Sequence, residues 1–329
     1  MNRFPLFVAL AKRLATSVFV LLLTVSFLFV LVRIAPGDPS QKFLSPKLSP
    51  RLVEKVKISF QLDKQIHEQY ISFLKNAVTG DLGFSYSFHR PVSDVISEVL
   101  PFTIFFSLSA FILQLVGGLL LAILASRYNK KFWDHFLSGG SMLLYAVPSF
   151  VSGLFFIYIF SVQLKIFPSS GIKTVGALED NLIFLLVDYA QHLFLPLLVL
   201  SLTGLPVYFK YFRENIEENR EKLFVTYLRA NGVSDKKILF SHIIPNSLNS
   251  IIAYAGVDLG ILFSGALITE MIFGLPGMGR LVVNAILGRD YPLIIGCTLT
   301  AGALIILTGF LADLIRMKID KRLVKGLLN

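Results

Sequence analysis

"VTYLRANGVSDKKILFSHIIPNS", residues 225–247, is a charged, glycine-broken stretch set between two long apolar runs. From 213 to 237 the chain carries eleven charged residues: Arg213, Glu214, Glu217, Glu218, Arg220, Glu221, Lys222, Arg229, Asp235, Lys236 and Lys237. At about 2.5–3.5 kcal/mol per charge at the centre of a bilayer, burying them in lipid costs on the order of 30 kcal/mol. The stretch therefore stays in water. Yet Leu223, Phe224, Tyr227 and Leu228 recur at helical spacing and form a short apolar stripe that needs a cover. Gly232 permits a sharp bend, and Ser234 suits the N-cap of a second short helix starting at Asp235. The pattern is helix, turn, helix. Two covers fit the stripe equally: the chain's own membrane domain, or a separate partner docking on it.

The rest of the chain sets the context. Of its 329 residues 54% are hydrophobic and only 16% charged, with a mean hydropathy of +0.70, which is the composition of a polytopic membrane protein. Six runs are long enough to cross about 30 Å of hydrocarbon, near residues 13–34, 101–125, 136–163, 192–212, 247–269 and 292–315. Pro196 and Pro206 interrupt the fourth. The first run follows Arg3, Lys12 and Arg13 but is too long for a signal peptide, so it is expected as a retained span. Arg127, Lys130 and Lys131 between spans two and three, with Arg316, Lys318, Lys321, Arg322 and Lys325 after span six, place both termini in the cytoplasm. This topology accounts for the net charge of +10 without nucleic acid as a partner. Segment 35–100 then lies outside, and apolar positions at Val53, Val56, Ile66, Tyr70 and Phe73 predict a small exterior helical subdomain there. The expected organisation is all-α: residues 1–34 as the N-terminal segment and first helix, 35–100 as the exterior subdomain, and 101–329 as a five-helix core whose cytoplasmic loop covers about 213–245.

No catalytic or metal centre is expected. His67, His89, His135, His192 and His242 lack ligand spacing, and Cys297, the one cysteine, sits in an apolar run as a packing residue. No G-x-S-x-G elbow occurs. "LSGG" at 137–140 resembles the signature of ABC ATPases, but the chain has no phosphate-binding G-x-x-x-x-G-K-[ST] loop, and Gly139 and Gly140 predict close helix approach instead. Polar groups inside the spans are costly and so informative. Asp258, with Gln114 and Glu270 beside it as further candidates, either lines a translocation path or is a hydrogen-bonded group between helices. "FGLPGMG" at 273–279 puts Gly274, Pro276, Gly277 and Gly279 in irregular backbone, which at membrane depth belongs in protein or against a cavity.

Residues 225–247 resemble the cytoplasmic coupling loop of inner-membrane permease subunits of binding-protein-dependent ABC importers, and within them the dipeptide/oligopeptide branch. Aligned on Gly232, the family's Glu-Ala-Ala falls on Thr226, Tyr227 and Leu228, and its far end on His242, Ile243, Ile244 and Pro245. "RIAPGDP", "QLDKQIHEQY", "GDLGFSYSFHRPVSDVI", "VPSF", "FPSSG", "GALITEMIFGLPGMGRLV" and "GRDYP" resemble that branch in the same order along nearly the whole chain. The chain departs from it in lacking the proline usual after "LD" and in having "IDKR" where "DPR" is common. The resemblance implies the type I importer permease fold in a bacterial inner membrane. It assigns ATPase coupling to Tyr227, Leu228, Arg229, Ala230, Asn231, Gly232, Val233, Ser234, His242 and Pro245, and an exterior mouth loop to Gly274, Pro276, Gly277 and Gly279. It further implies a second homologous permease, two cytoplasmic ATPases that use the ATP, and an exterior solute-binding protein. The cargo it implies is a di- or oligopeptide, although the branch also resembles importers of nickel and glutathione. A different class of function, a secondary transporter or channel driven by an ion gradient through Asp258, is separated from this one by whether uptake needs internal ATP.

Overall fold

The computed structural model describes residues 4–34, 65–128, 131–174, 176 and 182–319. Long apolar runs can hide their backbone polar groups in lipid only as helices or closed barrels, and here they are helices. In chain order these are α1 (Phe4–Ile34), α2 (Ile66–Val78), α3 (Val92–Arg127), α4 (Phe132–Ala146), α5 (Ser149–Phe156), α6 (Leu182–Arg220), α7 (Leu223–Ala230), α8 (Asp235–Ile238), α9 (Ile244–Phe263), α10 (Leu267–Ile272), α11 (Met278–Gly288) and α12 (Tyr291–Ile319). A π-helical stretch extends α5 through Ile157–Gln163, and another, Leu239–Ile243, joins α8 to α9.

Five stretches are long and apolar enough to cross a membrane: Ala11–Leu31, Val92–Arg127, Leu182–Arg220, Ile251–Ile272, which runs from α9 into α10, and Tyr291–Ile319. The expectation of a continuous third span over 136–163 is corrected: α4 and α5 meet at 97°. Pro148 lacks an N–H and forces the residue before it out of helical geometry, and Val147 is accordingly extended, with φ −81° and ψ 122°. The broken pair still carries the chain from end to end. Asp134 of α4 bonds Arg213 beside the charged loop, while Phe156 and Phe160 pack near Phe273 at the opposite end. Counted as one span, the bent pair makes six. Pro196 and Pro206, by contrast, leave α6 as one 39-residue helix that begins at Leu182, ahead of the expected residue 192. Both prolines are buried against neighbouring helices, which compensate for the lost backbone bonds.

Alternating direction brings Phe4, Arg127, Phe132, α7–α8 and Ile319 to one end of the bundle, the loop end, and α2, residues 81–91 and α10–α11 to the other, the mouth end. α1 lies along α12, with Arg13 paired to Asp313 at 2.6 Å near the loop end and Val25 and Phe29 packed on Ile295 near the mouth. Of α2, Tyr70 meets Phe29 edge-on and Phe73 stacks on it, with ring centroids 5.3 and 5.6 Å away, and Tyr70 shares a hydrogen bond with Ser26. Within segment 35–100 a helix is thus present from Ile66 onward; Val53 and Val56 lie outside the described residues.

Close packing in lipid depends on small residues where helices touch. A Cβ on Gly118 of α3 would stand 2.6 Å from Tyr208 Cβ and 2.8 Å from the Phe209 backbone nitrogen, so α3 and α6 are in backbone contact. Gly260 plays the same part between α9 and α12, where a Cβ would lie 2.7 Å from Ile305 Cα. The expectation for Gly139 and Gly140 is not met, since nothing lies within 4 Å of a Cβ at either position.

At the mouth end the buried carboxylate of Asp290 ties two distant segments together. Its Oδ2 accepts hydrogen bonds from Ser85 Oγ (2.5 Å) and the Ser87 amide (2.8 Å), and Oδ1 accepts from the Leu293 amide at the start of α12. Asp290→Ala leaves those donors without their acceptor, a cost of about 1–3 kcal/mol. Hydrogen exchange is expected to accelerate at residues 85–90 while the centre of α12 stays protected; unchanged protection at 85–90 would refute the tie.

Candidate functional site

The loop end is built as a small platform. Val225 of α7 is fully buried and joins Ile238, Leu239 and Ile243 in a cluster with Phe209, Phe212 and Ile216 of α6, and Phe224, Leu228 and Val233 pack against its edge. The apolar stripe therefore divides. Phe224 and Leu228 are covered by the chain's own core, whereas Leu223 and Tyr227 remain 88% and 68% exposed. Gly232 ends α7 with φ +78°, a conformation that strains residues bearing a Cβ even though the space around it is open. The Gly232 and Val233 amides donate to the carbonyls of Arg229 and Leu228, closing the helix end. Asn231 Nδ2 donates to the Tyr227 carbonyl, and Arg229 Nε reaches Asp235 Oδ1 across the turn at 2.9 Å, in the open. Ser234 occupies the N-cap position of α8 with extended backbone, but its side chain makes no capping bond, so the expected cap is one of position only. Ala230, Asn231 and Ser234 are exposed, His242 is half-buried in the π-helical stretch, and Pro245 sits in the first turn of α9.

Three ties fix the α6 end of this platform to the other membrane helices. Arg213 grips the buried Asp134 with two parallel bonds, Nε to Oδ1 at 2.8 Å and Nη2 to Oδ2 at 2.9 Å, joining α6 to α4. Arg213 also meets Glu217 at 3.1 Å. Arg220 Nη1 donates to the Ser126 carbonyl at 2.7 Å, a cation at the C-terminal end of α3 where the helix dipole favours it. Asn219 Nδ2 donates to the buried Ser247 Oγ at 3.2 Å, joining α6 to α9.

The three polar candidates inside the spans do not converge. Gln114 is buried between α3 and α6, where Nε2 donates to the Leu200 carbonyl at 2.9 Å and the amide lies against Gly204. Asp258 of α9 is half-buried, and its Oδ2 accepts from Tyr208 Oη at 2.7 Å. Glu270 is at the mouth end and fully buried; its carboxylate accepts from the amides of Ala266 (3.1 Å) and Arg280 (2.9 Å). Its backbone carbonyl receives the Leu275 amide.

Glu270 is thereby the post around which 273–279 turns. Gly277 and Gly279 lie against its carboxylate, which a Cβ on Gly277 would overlap. Gly274 adopts φ +63°, and Arg280 Nη1 donates to its carbonyl at 2.6 Å. The loop is stitched to α3 by the Met278 amide on Thr103 Oγ1 (2.8 Å) and to the segment after α5 by the Gly171 amide on the Phe273 carbonyl (2.8 Å). Pro276 and Gly277 line a cavity of about 190 Å³ with Arg90, Glu98, Arg280 and Asn284. Arg90 and Glu98 are ion-paired there, and the hydrogen bond to Glu98 raises the guanidinium pKa above its ordinary value.

Residues 114–325 match the family described as the binding-protein-dependent transport system inner membrane component, and residues 6–108 match the N-terminal family of the same membrane components. The chain belongs to this family of inner-membrane permeases. A protein of Brucella suis named as a peptide permease is 32% identical to this permease, over 94% of its chain and 97% of the relative. The oligopeptide transport system permease protein AppB of Bacillus subtilis is 30% identical over 95% and 98%, and a protein of Sinorhizobium fredii named as a peptide ABC transporter permease is 29% identical over 96% and 99%. The permease is accordingly a multi-pass inner-membrane subunit with the type I importer fold, non-catalytic itself, of a transporter that includes ATPase and binding-protein partners.

The residues that hold the permease's loop end and mouth together, Asp134, Arg220, Asn219 and Asp290, were not site candidates from sequence. Asp134 and Arg213 lie 79 positions apart, and Ser85 and Asp290 lie 205 apart. The available signal was their placement at the borders of apolar runs, where a charge needs either water or a partner.

Proposed function

We propose that the permease forms one half of the translocation path of an ATP-driven importer of di- or oligopeptides, and that α7 with the Gly232 turn is where its ATPase partner docks. The observation that carries the docking role is the divided stripe: Phe224 and Leu228 anchor α7 in the membrane core, leaving Leu223 and Tyr227 bare in a segment whose charge keeps it out of lipid. Arg127, Lys131, Arg316 and Lys318 gather at the same end and support its assignment to the cytoplasm, with both termini. ATP is used by two partner ATPases and no cofactor belongs to this chain. The names of the relatives support peptide cargo, and the resemblance to this branch implies a pairing with a second, different permease. In this reading Tyr227, Leu228, Arg229, Ala230, Asn231, Gly232, Val233, Ser234, His242 and Pro245 form the coupling element. Its rigid ties to α3, α4, α6 and α9 transmit ATPase closure, because a partner that binds two states differently shifts the equilibrium between them. Gly274, Pro276, Gly277 and Gly279 shape the mouth where the binding protein delivers cargo. Gln114 and Glu270 act by positioning helices and loop rather than by touching cargo.

Leu223→Ser combined with Tyr227→Ala removes exposed side chains, so its cost in stability is within about 0.5 kcal/mol. Co-purification of the ATPase with the membrane complex is expected to fall about tenfold or more, as for loss of an aromatic anchor from an interface, while membrane insertion is unchanged. Full ATPase recovery with this variant refutes the docking role. Uptake that persists in vesicles without internal ATP and collapses with the proton gradient refutes the ATP-driven reading.

A further inference from the structure

We propose that the face of α9 bearing Tyr254 and Asp258, with Tyr211 of α6 beside it, is a cation-binding station on the translocation path that takes the primary ammonium group of the cargo. The cargo half of this proposal rests on the peptide reading above. Asp258 differs from the other acids of the bundle. Asp134 is held by Arg213, Asp313 by Arg13, Asp188 by the Thr174 amide and hydroxyl, Asp290 by the two serines and Leu293, and Glu270 by backbone amides. Asp258 pairs with no basic side chain among the described residues. Tyr208 holds one carboxylate oxygen at 2.7 Å, and the other accepts no hydrogen bond there.

A carboxylate in mid-span is too costly to turn toward hydrocarbon, so it faces water or a cation. Its surroundings show which. Val257 and Ile261, next to it and one turn on, are 46% and 54% exposed, so this side of α9 is open rather than packed on the chain's own helices. A wall of tyrosines continues from the acid: the Tyr208 and Tyr254 rings meet edge-on at 5.3 Å, and Tyr254 lies 5.1 Å from Tyr211. Tyr211 in turn lines a cavity of about 620 Å³ toward the loop end, shared with Tyr145 and with Lys210, Arg213 and Glu214, whose charges lie beyond the tyrosines. A carboxylate oriented by one phenol, with an open oxygen and aromatic faces alongside, matches an ammonium group, which brings one charge and three donors and is attracted to π faces. The same set repels anions and offers a neutral solute little. A site with one acid and no second anchor also releases its cation, as a path must.

The test uses the whole transporter, with partner permease, ATPases and binding protein, in proteoliposomes. Cys297→Ala removes the one native thiol, which is buried, and Ile261→Cys places a reporter one turn from Asp258. A cationic methanethiosulfonate reagent is expected to label this thiol at least about tenfold faster than an anionic one, the scale of electrostatic focusing in a lined cleft. Asp258→Asn, which keeps an acceptor for Tyr208, is expected to abolish that preference. Asp258→Asn is also expected to slow uptake of a peptide with a free amino terminus about tenfold or more, the scale of a lost charge-assisted bond. An amino-acetylated peptide loaded on the same binding protein is carried at equal rates by both forms. Tyr254→Leu gives a smaller loss in the same direction. Absence of labelling by either reagent in every nucleotide state, or a charge preference that survives Asp258→Asn, overturns the station. Free-amine uptake untouched by Asp258→Asn overturns the ammonium assignment. If the unsubstituted complex carries no peptide at all while the charge preference persists, the peptide reading fails and the cation station stands.

Discussion

Glu270→Ala is expected to destabilise the purified complex by up to about 2–6 kcal/mol, because two partly buried backbone donors, the Ala266 and Arg280 amides, lose their acceptor at up to about 1–3 kcal/mol each. The damage should be local in its origin. Those two amides, together with the Leu275 amide on the Glu270 carbonyl, set the path of 273–279, and Gly277 and Gly279 lie against the same carboxylate. Glu270→Gln keeps one carbonyl acceptor but turns an amide donor toward backbone donors, so it should fall between the parent and Glu270→Ala in thermal midpoint. The functional readout separates a loop defect from general unfolding: basal ATP hydrolysis by the complex should survive at a temperature where Glu270→Gln is folded, while its stimulation by loaded binding protein is reduced. A Glu270→Ala complex with parental midpoint and parental stimulation would show that the carboxylate does not organise the mouth.

Hydropathy carried most of the architecture. Five of the expected spans overlap long apolar helical stretches, and the bend in the other had its cause in plain view, since Pro148 in "AVPSF" excludes a straight helix through Val147. Pro196 and Pro206 carry the same signal yet leave α6 intact, because burial against neighbouring helices offsets what they remove. The same residue type therefore gives opposite outcomes, and what decides between them is packing that no local window contains. The apolar stripe of α7 shows the limit at finer grain. Helical spacing brought Leu223, Phe224, Tyr227 and Leu228 near one another, but which pair faces the core depends on where Phe209, Phe212 and Ile216 of α6 stand. Gly139 and Gly140 looked like contact glycines and face open space, whereas Gly118 and Gly260 make the contacts. Among the polar candidates, Asp258 was legible as an acid in a costly place. Its hydroxyl partner on α6, and the backbone amides that the Glu270 carboxylate receives, follow from contacts between segments that meet only in the folded chain.

Breaking the Arg213–Asp134 pair is expected to separate ATP hydrolysis from transport, with unequal costs for its two halves. Arg213→Ala takes the guanidinium fork away from the buried Asp134, 3% exposed, between α4 and α6, a loss of up to about 3–5 kcal/mol. Asp134→Ala leaves Arg213 a quarter exposed and still beside Glu217 at 3.1 Å, so it should cost clearly less. The double variant should cost less than the sum, since the charge stranded by the first substitution is gone after the second. Arg213→Lys keeps the charge but not the planar fork that reaches both oxygens of Asp134, and should lie between. The consequence for function follows from position. α4 has no long continuation to steady it, because the chain turns by 97° beyond Ala146, so this pair is a bidentate polar tie between α4 and the helix that leads into the proposed coupling element. Without it, closure of the ATPases moves α6 and α7 while α4 lags. In proteoliposomes the Asp134→Ala, Arg213→Ala double variant should hydrolyse ATP at near the parental rate, but cargo carried per ATP consumed should fall about tenfold, the scale of one lost coupling of 1–3 kcal/mol. An unchanged ratio of uptake to hydrolysis would mean that α4 follows α6 through its apolar contacts alone.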